Sequence, residues 1–390
     1  MQNDFFITEQ EKCTGCFACM NICRSNAISV HKDEMGKTIP KINVDKCIKC
    51  NACKNVCPIE NRWPMNEIKE CYAAWTKNKY DSEYCASGGI STGMARYIVN
   101  HGGVVFGSTF DTNLNLNISS TENENELKKF AGSKYVQSFT GDTFREVEKK
   151  LKAGQTIYYV GTPCQIDGLK HFLRKDYSNL ILIDLICHGV PPAEYLKNYA
   201  LSVCRNMPDN VTMRGKKDYK IIFKKEQKIL YQKFSSADYY YFAYLNAIIY
   251  RDNCYTCQYA QKVRCSDITL GDFWGIDRKS LKNNYWGKIS VVLINTEKGR
   301  EFWHNVKQDF YFEKRKIDEA LKGNGQLSHP SKCHEYRMKF EEEYKKYGFN
   351  KAIRTRSIKK VVLKNRIKLM LIFRIVSKIR RMVKSIICAR

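Results

Sequence analysis

Eight of the eighteen cysteines fall within the first 57 residues, in two runs that share one spacing. Each run follows C-x2-C-x2-C-x3-C, the first with Cys13, Cys16, Cys19 and Cys23, the second with Cys47, Cys50, Cys53 and Cys57. The second run begins about 34 residues after the first, so this part of the chain is an internal repeat. Cysteines at such short, repeated spacings are typically used as disulfides or as metal ligands.

Metal ligation is the favoured use. Disulfide-rich secreted proteins are usually small, whereas this chain has 390 residues. Its N-terminus, MQNDFFITEQEKC, lacks the basic, apolar and small-residue regions of a signal peptide. We therefore expect reduced thiols and a cytoplasmic protein.

The doubled spacing is typical of bacterial ferredoxins with two 4Fe–4S clusters, in which the fourth cysteine of each run ligates the other cluster. One cluster would then use Cys13, Cys16, Cys19 and Cys57, and the other Cys47, Cys50, Cys53 and Cys23. Zinc ribbons usually need only two C-x2-C pairs, which makes zinc the weaker interpretation. Arg24 rather than proline follows Cys23, which alters that turn but removes no ligand. A β-hairpin is predicted between the two runs.

The rest of the chain predicts a larger mixed domain of the α+β or α/β class. Apolar segments rich in Val, Ile and Tyr indicate strands at 103–110, 156–162, 179–189 and 289–296. Helices are predicted over 165–174, 192–204 and 297–310. The expected organisation is a two-cluster ferredoxin domain over 1–66, a larger domain in two regions over 67–150 and 151–312, and a helical basic tail over 313–390.

A second cysteine group lies far from the first. Cys254 and Cys257 form a C-x2-C pair, which is half of a cluster site and needs two further thiolates. Cys164 and Cys187 are the best candidates because each follows a predicted strand, and Cys265 is an alternative to one of them. Cys164 would begin a helix, so it could instead be a nucleophile or a structural thiol.

Two further stretches suggest a binding site. The Ser-Gly-Gly turn at 87–89 opens a predicted helix, where backbone N–H groups and the helix dipole favour a phosphate, although an ordinary glycine turn has the same sequence pattern. His188 follows Cys187 beside a Pro-Pro turn; it is a weak candidate for a proton donor and is otherwise a structural residue.

Five motifs in this order resemble the coenzyme F420 hydrogenase/dehydrogenase beta subunit family. They read SGGISTGMARYIVNHGGVVFG, GSKYVQS, GTPCQIDGL, LICHGVP and C-x2-C…SDITLGDFWGI, and they span roughly residues 70–310. Members of that family are flavoproteins with an additional 4Fe–4S cluster, and they pass electrons between a deazaflavin, FAD and iron–sulfur centres. The resemblance therefore implies a flavin-binding domain behind the ferredoxin module, with FAD and a third cluster.

The resemblance also implies particular site residues. The flavin would be held by Ser87, Gly88, Gly89, Ser91, Thr92, Ser133, Lys134, Tyr135, Gln137, Ser138, Thr162, Pro163 and Gln165. The third cluster would be held by Cys164, Cys187, Cys254 and Cys257, which leaves Cys265 without a counterpart. Asp272 and Trp274 belong to a family motif but have no clear role.

The implied function is an oxidoreductase that moves electrons between a ferredoxin-like carrier and a small molecule, such as the deazaflavin coenzyme F420. Flavin exchanges electrons in pairs with a hydride donor and singly with a cluster, so it would connect the two. An electron-transfer subunit that serves a separate enzyme is the alternative, and a redox sensor without flavin is a third hypothesis.

The C-terminal 40 residues are strongly basic. They supply +14 of the formal net charge of +26, with no Asp or Glu. Apolar residues recur at a spacing of three and four, at Val362, Leu369, Ile372, Val376, Ile379, Val383 and Ile386. This pattern predicts a cationic amphipathic helix that lies on an anionic membrane, or else packs on its own core or a second subunit. Nucleic acid is the least favoured partner, because no recognition motif accompanies the helix.

Overall fold

The computed structural model describes residues 6–214, 219–283 and 287–388. The strands are β1 (Ile28–Lys32), β2 (Thr38–Ile42), β3 (Glu70–Thr76), β4 (Val104–Phe110), β5 (Leu116–Thr121), β6 (Ile157–Gly161), β7 (Leu180–Leu185), β8 (Asn210–Thr212), β9 (Lys220–Lys225), β10 (Lys228–Phe234), β11 (Ile268–Asp272), β12 (Ser290–Ile294) and β13 (Phe310–Arg315).

The helices range from single turns to 33 residues. They are α1 (Ala18–Ile22), α2 (Ala52–Asn55), α3 (Lys79–Tyr84), α4 (Ile90–Asn100), α5 (Thr143–Lys152), α6 (Pro163–Leu173), α7 (Ala193–Val203), α8 (Tyr239–Leu245), α9 (Asp252–Tyr255), α10 (Glu297–Val306), α11 (Ile317–Gly323), α12 (Tyr336–Tyr347), α13 (Phe349–Ala352) and α14 (Arg356–Cys388). In this part of the chain, no helix combines the length and the apolarity that crossing a bilayer requires.

A mixed eight-stranded sheet forms the centre of the larger domain. Its strand order is β13-β3-β12-β11-β7-β6-β4-β5. The four strands β11, β7, β6 and β4 run parallel to one another, and the outer strands pair antiparallel. The carboxyl ends of parallel strands lie at one edge, so the segments after β6 and β7 are brought side by side. All four strands predicted from apolar runs are present.

Several elements differ from the sequence expectation. The helix predicted over 297–310 ends at Val306, because Phe310 instead begins β13 and pairs with Thr76 of β3. The strands β3 and β13 cover one end of the sheet, and neither was predicted. A separate three-stranded antiparallel sheet, in the order β10-β9-β8, was also not predicted.

The N-terminal module is the expected hairpin flanked by two short helices. β1 and β2 pair antiparallel between the two cysteine runs. The module packs on the larger domain through α1 and α6, where Gly168 faces Cys16. A Cβ at Gly168 would lie 2.9 Å from both Cβ and Sγ of Cys16, so only glycine allows this approach. The side chain of Arg145 on α5 donates to the carbonyl oxygens of Met20, Asn21 and Cys23.

The C-terminal helices form a second core with α7, α8 and the small sheet. Ile358 and Val362 of α14 are fully buried in it. Arg366 donates to the carbonyl oxygen of Ala237, and its guanidinium lies 4.9 Å from the ring centre of Tyr239. Beyond this point the described apolar side chains of α14 are exposed, except Leu369, which is half-buried; Val383 and Ile386 lie outside the described side chains.

Candidate functional site

The first group of N-terminal cysteines lies inside the protein. Cys13, Cys16, Cys19 and Cys57 are all buried and line one small cavity of about 20 Å³. Burial is the main cause that raises the pKa of each of these four thiols, and thiols of the same group raise it further in Cys16, Cys19 and Cys57. Four thiols in such a place need a cationic centre to become thiolates, which suits the set expected for one cubane.

The second group lies nearer the surface. Of Cys23, Cys47, Cys50 and Cys53, none is buried and Cys50 is exposed. Burial raises the pKa of Cys53, and Cys23 and Cys47 contribute to that rise, so these thiols are neighbours. The apolar side chain of Ile48 beside them is 68% exposed, which leaves this face open to a partner.

The third group forms where the sheet edge meets α9. Cys164 lies in the first turn of α6, directly after β6, and Cys187 follows β7 by two residues. Burial raises the pKa of Cys164 to about 12, with Cys257 and Cys254 as further causes, and the same two thiols raise the pKa of Cys187. Burial thus outweighs the stabilisation of a thiolate that the helix N-terminus predicts for Cys164. The four thiols expected for a third cluster are brought together.

Cys265 lies in a different environment. Its Sγ donates to the carbonyl oxygen of Pro163 at 3.3 Å and lies 3.7 Å from a carboxylate oxygen of Asp184. Burial raises its pKa, followed by the charges of Asp184 and Asp167 rather than those of other thiols. Its neighbours favour a buried structural thiol over a cluster ligand.

None of these groups is built for a single ion. Among the residues that the structure describes, no three His, Cys, Asp or Glu side chains are arranged to hold one metal. A zinc ion holds its thiolates at about 2.3 Å from a common centre. A cubane instead holds each cysteine on a different iron atom, so its four thiolates lie farther apart. The donor chemistry, four free thiols per group, fits the cluster.

The three groups adjoin one another in a fixed order. Cys53 of the second group contributes to the raised pKa of Cys19 in the first, although burial is the main cause. Cys16 of the first group packs in the same apolar cluster as Cys164 and Cys257 of the third. The groups therefore follow one another in the order second, first and third; the first is buried, whereas the second and the third each include partly exposed thiols.

A cavity of about 480 Å³ begins where the third group ends, and Cys187 lines its wall. This volume is within the range of small-molecule and cofactor sites. Ten of the thirteen residues expected at the flavin line it: Ser87, Gly89, Ser91, Thr92, Ser133, Lys134, Tyr135, Ser138, Thr162 and Gln165.

The other three expected flavin residues do not line the cavity. Gly88 faces the sheet, where a Cβ would lie 2.5 Å from the carbonyl oxygen of Ala74. Pro163 accepts the hydrogen bond of Cys265. Gln137 is directed toward the N-terminal module, where its side-chain nitrogen donates to the carbonyl oxygen of Thr14 at 3.4 Å. Any effect of these residues on a bound flavin would be indirect.

One wall of the cavity presents backbone donors and a cation. Gly89, with a φ of +81°, is the N-cap residue before α4 and has no side chain to cap the first N–H groups of the helix. Ser91 and Thr92 lie in that first turn. The ammonium of Lys134 donates to the carbonyl oxygens of Phe130 and Ala131, and burial lowers its pKa to about 8. This wall is suited to an anion such as a phosphate.

Another part of the cavity wall is aromatic and carries an ion pair. Arg214 donates to both carboxylate oxygens of Asp272, at 2.5 and 3.0 Å. Its guanidinium lies 4.8 Å from the ring centre of Tyr219 and 5.6 Å from that of Trp274. His188 also lines the cavity, and burial lowers its pKa, so its imidazole is neutral at pH 7. Asp272 and Trp274 thus acquire a place in the site that the sequence left open, whereas Arg214 was not singled out.

Parts of the chain match two family models. Residues 154–320 match the family model for the C terminus of the coenzyme F420 hydrogenase/dehydrogenase beta subunit, and residues 12–61 match a 4Fe–4S dicluster domain. No curated protein matches. Among solved structures, the chain is similar to one from the F420-reducing [NiFe] hydrogenase complex of Methanosarcina barkeri. The identity is 15%, the coverage is 75% of this chain and 92% of that chain, and the TM-score is 0.46.

Proposed function

Because residues 154–320 match the family model for the C terminus of coenzyme F420 hydrogenase/dehydrogenase beta subunits and residues 12–61 match a 4Fe–4S dicluster domain, we propose that the chain is an FAD- and iron–sulfur-dependent oxidoreductase. It would exchange electrons between a ferredoxin-like carrier or partner subunit and a small molecule that donates or accepts hydride, coenzyme F420 being one candidate. FAD would supply the exchange between paired and single electrons.

The observation that carries the proposal is the order of the three cysteine groups. Cys50 of the second group is exposed, the first group is buried, and Cys187 of the third group lies in the wall of the large cavity. Clusters held by these groups would connect a surface that a carrier can reach with a cavity that a small molecule can enter.

The chain's own residues would bind and orient the flavin. The uncapped N–H groups of α4 and the ammonium of Lys134 would receive the phosphates, because both favour an anion. Thr162, Gln165 and Cys187 line another part of the cavity. Gln165 donates to the hydroxyl of Ser138 at 2.9 Å, which fixes the loop between them.

The alternative is an electron-transfer subunit with no substrate of its own. The cavity extends beyond the expected flavin residues to Arg214, Asp272 and Trp274. A relay subunit has no need for this additional wall, so its presence favours an enzyme. Stacking between Trp274 and a planar ring would suit a deazaflavin or a similar heterocycle.

Anaerobic reconstitution with FAD tests the proposal. Wild-type protein should retain FAD noncovalently, and Thr92→Asp should weaken retention at least tenfold, because a carboxylate would repel phosphates at the start of α4. Asn100→Asp adds the same charge at the exposed far end of the same helix and should retain FAD. Wild-type protein that takes up no flavin contradicts the proposal. Flavin-loaded protein whose clusters are reduced by a carrier but by no small hydride donor identifies the relay subunit instead.

We also propose that α14 contacts an anionic membrane surface. Its first turns are anchored in the core, but Leu363, Ile367, Met370, Leu371, Ile375 and Ile379 are each at least half exposed. The stretch is basic and contains no acidic residue. An apolar face among basic side chains is suited to the headgroup region of such a membrane. Packing against a second subunit is the competing use of the same face.

A further inference from the structure

Four arginines are buried in the part of the chain that the structure describes. They are Arg214, Arg251, Arg264 and Arg337, with Arg251 only 1% exposed. A buried guanidinium is costly unless an anion lies beside it. Three of the four form ion pairs with carboxylates. These pairs are Arg214 with Asp272, Arg264 with Asp184, and Arg337 with Asp252 and Glu341.

Arg251 is different, because every hydrogen-bond partner that the structure gives its guanidinium is neutral. It donates to the carbonyl oxygen of Cys13 at 2.9 Å, to that of Thr38 at 3.1 Å, and to the side-chain oxygens of Gln137 at 2.7 Å and Asn253 at 3.2 Å. The adjacent carboxylate of Asp252 provides no compensation, since it is bonded to Lys37 and Arg337 instead. The folded protein has thus placed a full positive charge in its interior with no acidic side chain bonded to it.

Arg251 lies between two cysteine groups. Its guanidinium donates to the carbonyl oxygen of Cys13 in the first group, and its backbone carbonyl oxygen accepts from the N–H of Cys254 in the third. The charge of Arg251 also acts to lower the pKa of Cys13, Cys164 and Cys254, against the larger effect of burial, so thiols of both groups are within its reach.

The surroundings hold the guanidinium firmly in that place. Gln137 accepts from it and also donates to the carbonyl oxygen of Thr14. Gly15, with a φ of +65°, lies against both side chains: a Cβ there would be 2.5 Å from the side-chain nitrogen of Gln137 and 3.3 Å from a guanidinium nitrogen. The absence of a side chain at Gly15 therefore makes room for this contact within the first cysteine run.

We infer that Arg251 is the shared counter-charge of the first and third clusters and raises the reduction potential of both. A cubane with four thiolates is a net anion, so two such clusters would supply the compensation that no carboxylate provides. Reduction adds negative charge, and a fixed cation nearby favours it. Arg251 is a positioning residue in this role, and the inference rests on the proposed function in requiring the third cluster.

Redox titration of anaerobically reconstituted protein, followed by electron paramagnetic resonance, tests the inference. Arg251→Gln removes the charge and keeps an amide donor; it should lower the potentials of two of the three clusters. We expect at least a tenfold change in each reduction equilibrium, which is about 59 mV for a one-electron couple. The cluster of Cys23, Cys47, Cys50 and Cys53 serves as the internal reference and should not shift.

Arg251→Lys distinguishes the effect of the charge from that of the hydrogen bonds, because lysine keeps the positive charge but lacks the planar guanidinium that makes them. It should preserve the potentials to a greater extent than Arg251→Gln. If Arg251→Gln loses iron from the first and third sites while Arg251→Lys keeps it, the charge requirement is supported. Equal iron loss in both variants overturns the inference, as does full iron with no shift, or an equal shift of all three clusters.

The proposed function fails by a different result. Wild-type protein that assembles no third cluster contradicts that function and the third-cluster half of this inference. The shift of the first cluster is still measurable in the same wild-type and variant pair, and also in a Cys257→Ala background. If the potential of the first cluster shifts in Arg251→Gln, the inference holds for the cluster that includes Cys13. If it does not shift, the inference is wrong for that cluster as well.

Discussion

Gly168 of α6 packs against Cys16 of the N-terminal module, at a distance that leaves no space for a Cβ. Gly168→Ala would place a methyl group 2.9 Å from both Cβ and Sγ of Cys16. Overpacking of this kind costs about 1–3 kcal/mol. We expect a lower midpoint of thermal unfolding and reduced iron at the first site. Gly287→Ala, whose added Cβ meets no atom of the described residues within 4 Å, is the matched control. Equal stability of the two variants would contradict the tight interface.

The proposed third cluster makes a prediction about iron content. Three clusters of four iron atoms require about 12 per chain after anaerobic reconstitution. Cys257→Ala should reduce this to about 8, because three thiolates from separate elements hold a cubane poorly. Cys265→Ala should leave about 12, since its thiol bonds the carbonyl oxygen of Pro163. Saturation of wild-type protein at two clusters, or loss of iron in Cys265→Ala but not in Cys164→Ala, would rule out this ligand set.

Flavin binding should weaken at alkaline pH. Burial lowers the pKa of Lys134 to about 8 in the folded protein, below the usual value of about 10.4. An anion in the cavity favours the charged ammonium, so binding above pH 8 requires uptake of a proton. The affinity for FAD should be flat below about pH 8 and fall by up to tenfold per unit above it. Cys85, whose pKa is raised to about 11 mainly by burial, stays protonated in this range.

Equilibrium titration of FAD between about pH 7 and 9.5 measures this dependence. Lys134→Gln should bind more weakly and lose the pH dependence, whereas Lys128→Gln, at an exposed position, should behave as wild type. The lowered pKa of Lys134 also predicts how the stability of the flavin-free protein depends on pH. Because the unfolded chain holds the Lys134 proton between about pH 8 and 10.4 while the folded chain releases it, the stability of the apoprotein should rise across that window. A pH profile that survives Lys134→Gln would assign the effect to another group.

Truncation separates the two uses of α14. Deletion from residue 357 would remove Ile358 and Val362 from the core, so the informative variant lacks only residues 368–390. It should keep its clusters and its unfolding midpoint but lose affinity for anionic vesicles. The segment holds seven basic residues, each worth about 1 kcal/mol near such a surface. The affinity of the full-length protein for anionic vesicles should decrease as the salt concentration rises. If the truncated protein instead changes its oligomeric state, the face is a subunit interface.

Local sequence patterns correctly predicted those elements that are determined by residues close together in the sequence. The two cysteine runs, the hairpin between them and the strands β4, β6, β7 and β12 all follow from spacing or from apolar runs. β3 was missed, although its segment ECYAAWT is almost entirely buried. Seven residues that begin with Glu and contain two alanines carry a weak strand signal. Of the ten expected flavin residues that line the cavity, the local pattern singled out only Ser87 and Gly89 of the Ser-Gly-Gly turn, and the resemblance supplied the others.

Long-range contacts account for most of what the sequence did not reveal. Arg251 bonds a residue 238 positions away, and its lack of an acidic partner is visible only once Asp252 is seen bonded elsewhere. Its place three residues before Cys254 was the only local signal. The pair of Arg214 and Asp272 likewise joins segments 58 residues apart, on a wall that exists only after folding.

The exposure of Cys50 has a consequence for how the protein would lose iron on exposure to oxygen. Dissolved oxygen and chelators would reach a cluster at this exposed site before one at the buried first group, so oxidative damage should begin at the site of Cys23, Cys47, Cys50 and Cys53. A sample that has lost only this iron would keep its inner clusters. It would nevertheless lack the proposed entry point for electrons from a carrier, and its visible absorbance would overstate any activity.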